Sequence, residues 1–264
     1  MSDATIHPSA VVSAQAELGP DVEIGPFAIV GPQVTVGAGC RIAARATLEQ
    51  NVRLGAQCRV GSGSILGGAP QDLKYAGEET WVEVGEGTVI REYCTINRGT
   101  TQSRLTRLGK NCLVMTYVHM AHDCHVGDRV ILTNGVQLAG HVTIDDCAII
   151  SGLTPVHQFV KIGCHSIIGG GSRVPVDVAP YVKAAGNELR LFGLNRIGLE
   201  RRGFAPETVT ALNRLYRIFF RSNLLVPQAV EAIRRELPPL PEIEVFLRFV
   251  EQSERGLARP RPRR

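Results

Sequence analysis

Aromatic residues are scarce in this sequence. They make up 5% of its 264 residues, and only one of them is a tryptophan. A core with so few large rings must be filled by small and β-branched side chains, so we expect it to be narrow. Hydrophobic residues still reach 44% and glycines number 28. The chain is therefore suited to one large domain or to a domain with an appendage.

Segments that would direct the chain to a membrane are also missing. No apolar run approaches the roughly 20 residues that a membrane-spanning helix needs. The N-terminus, MSDATIHPSA, has neither the basic nor the apolar region of a signal peptide. We therefore expect a cytoplasmic protein without stable membrane insertion.

Two classes of site are disfavoured by what the sequence lacks. The seven cysteines are odd in number and form no C-x-x-C pair, so neither a disulfide framework nor a cysteine metal site is indicated. No nucleic-acid recognition motif occurs, and basic residues are not interleaved with aromatic ones, so nucleic acid is not an expected partner.

A period of six residues governs the chain from residue 6 to about 179. Nearly every residue at a multiple of six is aliphatic, and the residue four places later is small. The exceptions, Asp72, Glu78 and Gln102, fall in polar stretches that we expect to be loops, at 68–83 and about 101–107. Five cysteines occupy the small row, where we expect them to be buried as small hydrophobic side chains: Cys40, Cys58, Cys94, Cys112 and Cys124.

This period fits neither a helix, which repeats every 3.6 residues, nor the simple alternation of a strand. It fits a solenoid of short strands joined by tight corners, in which three six-residue sides close one triangular turn of the coil. Stacked coils would pair their backbones in parallel, about 4.8 Å apart. The repeat resembles that of the hexapeptide-repeat proteins, and this resemblance implies a mainly β fold, the left-handed parallel β-helix.

A second region begins near residue 187, where the six-residue phase ends and helical signals replace it. We expect helices over 188–202, from Pro206 onward, over 226–237 and over 241–255, and a disordered basic tail in ARPRPRR. The predicted domains are thus a β-helix at 1–186 and a C-terminal α-helical domain at 187–264. Residues 183–264 carry 16 Lys and Arg against 9 Asp and Glu, which favours an acidic or phosphorylated partner.

Histidines converge on one edge of the predicted coil. In YVHMAHDCHVG, at 117–127, His122 is followed by Asp123, and Gly140 comes one full turn later. His141 and His157 lie next to the following equivalent positions, so the three histidines should stack on successive coils. A histidine can accept and return a proton near neutral pH, and a glycine N–H can stabilise an oxyanion. This combination indicates acyl transfer to a hydroxyl.

A zinc site is the rival interpretation of the same histidines. The γ-class carbonic anhydrases, which are also hexapeptide-repeat proteins, bind zinc through three histidines at a subunit interface. The spacing in this sequence does not exclude such a site, but nothing else in the chain resembles that family.

Longer strings resemble the UDP-N-acetylglucosamine O-acyltransferase family over residues 6 to about 256. They are QDLKYAGE (71–78), TINRGT (95–100), AHDCHVG (121–127), LAGHVTIDDCAIISG (138–152), VHQFVKIG (156–163), PYVKAAGN (180–187) and GLNRIGLERRGF (193–204). The resemblance implies transfer of a (3R)-3-hydroxyacyl group from acyl carrier protein to the 3-hydroxyl of UDP-N-acetylglucosamine, the first step of lipid A biosynthesis. It also implies a homotrimer with sites shared between subunits, and no metal or other cofactor.

The resemblance also assigns roles to individual residues. His122 would be the general base, Asp123 its supporting neighbour and Gly140 the oxyanion donor. Substrate-binding positions would be Gln71, Asp72, Lys74, His119, His141, His157, Gln158, Asn195, Arg201 and Arg202. Gly170 would limit acyl length and favour a long chain, although it could equally serve only a coil corner. Asn97, Glu188 and Ile197 differ from the residues that some members of this family have at these positions. The differences concern acyl length and nucleotide contacts and leave the reaction class unaffected.

Two further alternatives remain at the level of sequence. The related UDP-sugar N-acyltransferases acylate an amine and usually carry an extra N-terminal domain, for which a repeat starting at residue 6 leaves no room. An inert solenoid scaffold would leave the polar loop at 68–83 and the aligned histidines unexplained.

Overall fold

The computed structural model describes residues 3–261, which form 27 short strands followed by four helices. The strands are β1 (Thr5–Ile6), β2 (Val11–Val12), β3 (Glu17–Leu18), β4 (Glu23–Ile24), β5 (Ile29–Val30), β6 (Val34–Val36), β7 (Arg41–Ile42), β8 (Thr47–Leu48), β9 (Val52–Leu54), β10 (Arg59–Val60), β11 (Ile65–Gly68), β12 (Trp81–Val84), β13 (Val89–Ile90), β14 (Thr95–Asn97), β15 (Leu105–Leu108), β16 (Leu113–Val114), β17 (His119–Met120), β18 (His125–Val126), β19 (Ile131–Leu132), β20 (Gln137–Leu138), β21 (Thr143–Ile144), β22 (Ile149–Ile150), β23 (Pro155–Val156), β24 (Lys161–Ile162), β25 (Ile167–Ile168), β26 (Val182–Ala185) and β27 (Arg190–Leu194). The helices are α1 (Arg196–Arg201), α2 (Pro206–Arg221), α3 (Val226–Glu236) and α4 (Pro241–Glu251).

Every third strand pairs in parallel, which wraps the chain into a three-sided coil. The first sheet starts with β1, the second with β2 and the third with β3. Ile6 pairs with Ile24, so one turn consists of three six-residue sides. The turns that contain the two polar loops are longer by whole multiples of six, since Val60 pairs with Ile90 and Ile90 with Val114. The six-residue phase therefore continues across both loops.

The core is the narrow column that the composition predicts. Except for Asp72, Glu78 and Gln102 in the loops, residues at multiples of six are buried from Ile24 to Ile168, and the small row packs beside them. All five cysteines of that row are buried and unoxidised. The two loops lie between β11 and β12 and between β14 and β15. We refer to residues 69–80 as the long loop and to residues 98–104 as the short loop.

The second region begins differently from the prediction. Residues 190–194 form β27, which pairs antiparallel with β26 and extends the first sheet, and helix α1 starts only at Arg196. The expected helix over 188–202 is therefore wrong in its first half, because pairing with an open sheet edge outweighs local helix propensity. The helices that begin at 206, 226 and 241 are confirmed, although α4 ends at Glu251 rather than 255.

The C-terminal residues return to the coil. Asp177, which is fully buried, accepts hydrogen bonds from the Lys161 N–H and the Ser253 hydroxyl, both at 2.7 Å. Its own carbonyl accepts from the N–H of Ala258 at 2.8 Å. Residues 258–261, expected to be disordered, thus pack against the coil, and 262–264 lie outside the described residues. Within residues 3–261, no helix has both the length and the apolarity required to span a bilayer.

Candidate active site

His122 and Asp123 lie at the corner between β17 of the second sheet and β18 of the third. Asp123 has a left-handed backbone (φ 57°), and its Oδ2 lies 2.8 Å from His122 Nδ1. Because an ionised carboxylate can only accept, this bond places the histidine proton on Nδ1 and leaves Nε2 as an acceptor. We call the pair the dyad. Its corner, with the equivalent positions 140–141 and 158–159, is the dyad corner.

The short loop fixes the Asp123 carboxylate. The N–H of Thr100 donates to both carboxylate oxygens at 3.0 and 3.1 Å, and its hydroxyl donates to Oδ2 at 2.7 Å. Ser103 donates its N–H at 3.2 Å and also its hydroxyl. Burial raises the pKa of Asp123, but the bonds from Ser103, His122 and Thr100 outweigh burial and hold the pKa at about 2. Asp123 is therefore ionised at neutral pH.

Gly140 packs directly on the imidazole ring of His122. A Cβ at this position would lie 2.6 Å from His122 Cε1 and 2.8 Å from Nε2, so only glycine fits beside the ring. Within the described residues, the Gly140 N–H has no hydrogen-bond acceptor, whereas its carbonyl accepts from the N–H of Phe159. The corner thus offers an unpaired backbone donor next to a base.

The histidine stack forms only in part. The rings of His122 and His141 meet edge to face at 5.0 Å. Phe159, rather than His157, stacks on His141, with centroids 4.4 Å apart. Burial lowers the pKa of His141, and the neighbouring His122 acts in the same direction, although Asp123 opposes them. His157 is exposed and bonds to the carbonyl of Gln158, so it does not join the other two histidines.

The dyad corner and the long loop enclose a cleft of about 710 Å³. Predicted residues that line it are Gln71, Asp72, Lys74, His122, His141 and Gln158. Tyr75, Glu78, Thr100 and Phe159 also contribute to its wall. The cleft is thus bounded by carboxylate, amide, ammonium and imidazole groups, a mixture suited to a polar ligand that carries hydroxyls.

Like His157, the predicted residues His119 and Gly170 do not line this cleft. His119 is half-buried in β17, and its Nδ1 lies 2.7 Å from the Thr95 hydroxyl. Burial lowers the pKa of His119, and His122 contributes to the shift. Gly170 lies just after β25, at the corner between the first and second sheets, and a Cβ there would approach the carbonyl of Gly152 to 3.3 Å. A side chain at 170 would therefore require its neighbours to shift by a few tenths of an ångström.

The predicted substrate-binding residues of the C-terminal region, Asn195, Arg201 and Arg202, lie at another corner. Asn195 Nδ2 donates to the carbonyl of His165 at 2.9 Å, and Arg202 Nη1 donates to Cys147 Sγ at 3.1 Å. Cys147 and His165 follow strands of the third sheet and precede strands of the first. We call this the cap corner. Arg201 is exposed beside it. One chain alone therefore does not bring Asn195, Arg201 or Arg202 into the dyad cleft.

Sequence reasoning missed three contributors to the site. Thr100 and Ser103 hold Asp123, although the sequence predicts no role for Thr100 and only a loop for 101–107. Phe159 lies one turn after His141, so the regular spacing of the turns was itself a signal that could have identified it. The residues of the short loop carried no such signal, since their approach to Asp123 depends on how the loop folds.

His122, Asp123 and His141 are close enough to be considered as metal ligands, with candidate atoms within 4.8 Å of one another. Zinc requires three or four ligands at about 2.0–2.2 Å in tetrahedral geometry. Both Asp123 oxygens already accept hydrogen bonds from the short loop, and Oδ2 also accepts from His122. Ligation would have to break these bonds, so the arrangement is better suited to orienting a base.

Comparison with sequence families agrees with the two regions. The bacterial transferase hexapeptide repeat matches residues 15–50 and 106–140. The C-terminal domain 2 of UDP N-acetylglucosamine O-acyltransferase matches residues 177–258. An acyl-[acyl-carrier-protein]–UDP-N-acetylglucosamine O-acyltransferase of Thiobacillus denitrificans is 50% identical over 257 residues, which cover 97% of this chain and all of that protein. The enzyme of the same name from Aliivibrio fischeri is 46% identical over 74% of this chain and 75% of its own.

Solved structures match over almost the whole chain. LpxA of Bacteroides fragilis superimposes with a TM-score of 0.95 at 39% identity and covers 97% of this chain and 100% of its own. LpxA of Acinetobacter baumannii gives 0.94 at 42% identity, with 96% and 99% covered. These neighbours confirm a left-handed parallel β-helix with a C-terminal helical part. With its dyad, its repeat and relatives of this identity and coverage, the chain belongs to the UDP-N-acetylglucosamine O-acyltransferase family.

Proposed function

We propose that this protein transfers a (3R)-3-hydroxyacyl group from acyl carrier protein to the 3-hydroxyl of UDP-N-acetylglucosamine, the first step of lipid A biosynthesis. The names of its relatives give the two substrates. The observation that carries the mechanism is the bond between His122 and Asp123, which leaves His122 Nε2 free at the cleft.

The dyad supplies general-base catalysis. A sugar hydroxyl is a poor nucleophile until its proton is shared, and a positioned base contributes roughly 10²–10⁴-fold to the rate. His122 Nε2 takes the hydroxyl proton as the oxygen attacks the thioester carbonyl. Asp123, ionised and fixed by the short loop, stabilises the imidazolium that results. When the carbon–sulfur bond breaks, His122 returns the proton to the departing thiolate.

Gly140 supports the tetrahedral intermediate. The carbonyl oxygen gains negative charge as the new carbon–oxygen bond forms, and an N–H fixed in place beforehand helps most at that moment. The Gly140 N–H is unpaired within the described residues and lies beside the His122 ring. Base and donor thus serve the same reacting carbon.

The cleft residues bind the acceptor sugar. We assign Gln71, Asp72 and Lys74 of the long loop, with His141 and Gln158 of the coil, to hydroxyl and amide contacts, since they line the cleft around His122. His119, His157 and Gly170 lie beside it, and we assign them to the path of the acyl chain and its edge. On this assignment Gly170 favours a long acyl chain.

The nucleotide requires a second copy of the chain. Asn195, Arg201 and Arg202 suit a diphosphate because guanidinium groups bind phosphate oxygens well. They lie at the cap corner of their own chain, so we assign them to the dyad cleft of a neighbour in a homotrimer.

The basic C-terminal region, with 16 Lys and Arg against 9 Asp and Glu over residues 183–264, offers a surface for an acidic carrier protein. Since both substrates are water-soluble, we infer a cytoplasmic enzyme.

The test is an acyl-transfer assay with purified protein, UDP-N-acetylglucosamine and carrier-bound 3-hydroxyacyl chains of graded length. We expect wild type to form the 3-O-acyl product and to prefer long chains. His122→Ala should lower kcat by roughly 10²–10⁴-fold while circular dichroism and the oligomeric state stay unchanged. Turnover at the wild-type rate by His122→Ala would remove His122 from the role of base.

The zinc alternative is tested on the same preparation. Protein purified without chelator should contain no stoichiometric zinc, should transfer acyl groups equally well after EDTA treatment and should not hydrate carbon dioxide. One zinc per chain, with transfer abolished by EDTA, would contradict the proposed mechanism and favour a metal centre at His122, Asp123 and His141.

A further inference from the structure

Arg98 is a buried cation that has no ion-pair partner among residues 3–261. Its residue is 3% exposed, and no described carboxylate lies within ion-pair distance of its guanidinium. Neutral oxygens pair with its two terminal nitrogens instead, while Nε has no partner among the described residues. Nη1 donates to the carbonyl of Gly67, Nη2 donates to the Tyr75 hydroxyl at 3.0 Å, and a suitably oriented Gln50 amide accepts from both at 3.1–3.2 Å. A buried charge with such partners is costly, so its retention calls for a specific role.

Arg98 joins two separate parts of the chain. Gly67 is the penultimate residue of strand β11, and Gln50 lies at a coil corner. Tyr75 belongs to the long loop, in which Gln71, Asp72 and Lys74 line the cleft. The guanidinium therefore anchors to the rigid solenoid on one side and to the loop on the other.

The long loop has few other attachments. Its ends are held by Asn97, which donates to the Ala69 carbonyl, and by Asn51, which donates to the Thr80 carbonyl. Between 70 and 79, the described hydrogen bonds are local to the loop, with one exception, the bond from Arg98 to Tyr75. Leu73, at the tip, is fully exposed. A single charge-assisted bond thus joins the middle of the loop to the coil.

The same short loop also holds the catalytic dyad. Two residues after Arg98, Thr100 donates to the Asp123 carboxylate, as does Ser103. One segment thus sets both the orientation of the dyad and the position of the loop opposite it. This placement would keep the distance between the base and the loop residues fixed before any sugar binds.

From these contacts we propose that Arg98, acting through the Tyr75 hydroxyl, is a positioning residue that holds the long loop over the dyad corner. The proposal rests on the proposed function for its kinetic consequence. Neither side chain is assigned to the reacting atoms. Loss of the bond should therefore weaken binding of the nucleotide sugar, because Gln71, Asp72 and Lys74 would have to be ordered on binding.

Tyr75→Phe tests the tether by removing the hydroxyl, which accepts from Arg98 and also donates to the Glu78 carbonyl at 3.2 Å within the loop. Because Lys74 precedes Tyr75, trypsin can cut the loop at this bond, and mass spectrometry can follow that cleavage alone. We expect cleavage after Lys74 to accelerate by about tenfold, and KM for UDP-N-acetylglucosamine to rise by about tenfold, as loss of one charge-assisted bond predicts. The kcat value and its pH profile should stay within about twofold of wild type, since the dyad is intact.

Two further variants make the result specific. Tyr93→Phe is the matched control, because this exposed tyrosine stacks on Tyr117 and its hydroxyl has no hydrogen-bond partner among residues 3–261. It should match wild type in both assays. Arg98→Lys keeps the charge but cannot reach all its partners, so it should behave like Tyr75→Phe. The double variant should be no worse than Tyr75→Phe, because that substitution already removes the bond between Arg98 and Tyr75.

Two outcomes would overturn the proposal. One is cleavage after Lys74 at the wild-type rate in Tyr75→Phe. The other is a fall in kcat or a changed pH profile with KM unaltered, which would place Tyr75 in the chemistry. If wild type itself formed no acylated sugar, the proposed function would fail, and the cleavage rates would still decide the tether independently.

Discussion

Gly140→Ala should impair His122, the proposed general base, although His122 itself is unchanged. The substitution keeps the backbone N–H and adds one methyl group, whose carbon would lie 2.6 Å from His122 Cε1 and 2.8 Å from Nε2. Ordinary carbon contacts begin near 3.4 Å, so the ring must retreat by roughly 0.8 Å. It cannot do so while keeping its 2.8 Å bond to Asp123, because the short loop fixes that carboxylate.

The magnitude follows from the role of the ring. A misplacement of about 1 Å at a catalytic group can cost roughly 10²-fold, and the whole contribution of a general base is roughly 10²–10⁴-fold. We expect kcat for acyl transfer to fall about 100-fold in Gly140→Ala. Adding a methylene in a packed site costs about 1–3 kcal/mol, so the fold should survive with a lowered Tm. The assay is steady-state transfer with carrier-bound acyl chains, beside circular dichroism.

The control is Gly171→Ala. Gly171 lies at a coil corner where an added Cβ meets nothing within 4 Å, and its positive φ (67°) resembles that of Leu153 (56°) at the equivalent position one turn earlier. This variant should keep wild-type turnover. Wild-type kcat in Gly140→Ala would refute the packing argument and would show that the His122 ring need not lie where the structure places it.

Two further predictions concern Asp123 and the cap. The pKa of Asp123 is lowered from 3.8 to about 2 in the folded protein, so its stabilisation is present above pH 4 and is lost as the pH falls towards 2. Urea unfolding should therefore show the stability advantage of wild type over Asp123→Asn shrinking by roughly 2 kcal/mol between pH 5 and pH 2, and a constant difference would contradict the bonding to Thr100 and Ser103. Arg201→Ala should raise KM for UDP-N-acetylglucosamine by about tenfold with kcat nearly unchanged, and a defect confined to kcat would argue against its placement at the nucleotide.

The solenoid could be predicted from the sequence because its rule is local and repeated. Each inward position has the same neighbours one coil above and below, so Ile42, Leu66 and Leu138 obey a single constraint. The long and short loops preserve the six-residue period, because they lengthen their turns of the coil by multiples of six residues. The strand at 190–194 was not predicted, because its partner β26 lies outside the six-residue repeat. The return of residues 258–261 depended on the bond between Asp177 and Ala258, which lie far apart in the sequence and are related by no period.

The residues of the candidate site that follow the period of the coil could be predicted, and those in the loops could not. His122, Gly140 and His141 could be placed because equivalent positions recur once in every turn of the coil, and the structure brings them together. The prediction that His157 joins the stack is wrong, because His157 lies one residue before position 158, the equivalent of Gly140. Phe159, one residue after position 158, stacks on His141 instead. The loops obey no period. The bonds from Thr100 to Asp123 and from Arg98 to Tyr75 therefore emerge only from three-dimensional coordinates.

Separation of the two corners has a physical consequence for assembly. Asp123 and Arg129 mark consecutive corners six residues apart, so one side of the triangle measures about 20 Å at about 3.3 Å per residue. An arginine side chain spans less than half of that length, and the Arg202 guanidinium is already bonded to Cys147 at its own corner. Residues at the cap corner can serve the dyad cleft only if another chain presents them. A rigid coil cannot bend to join its corners, so the proposed nucleotide role of Asn195, Arg201 and Arg202 predicts a site completed by neighbouring coils packed side by side.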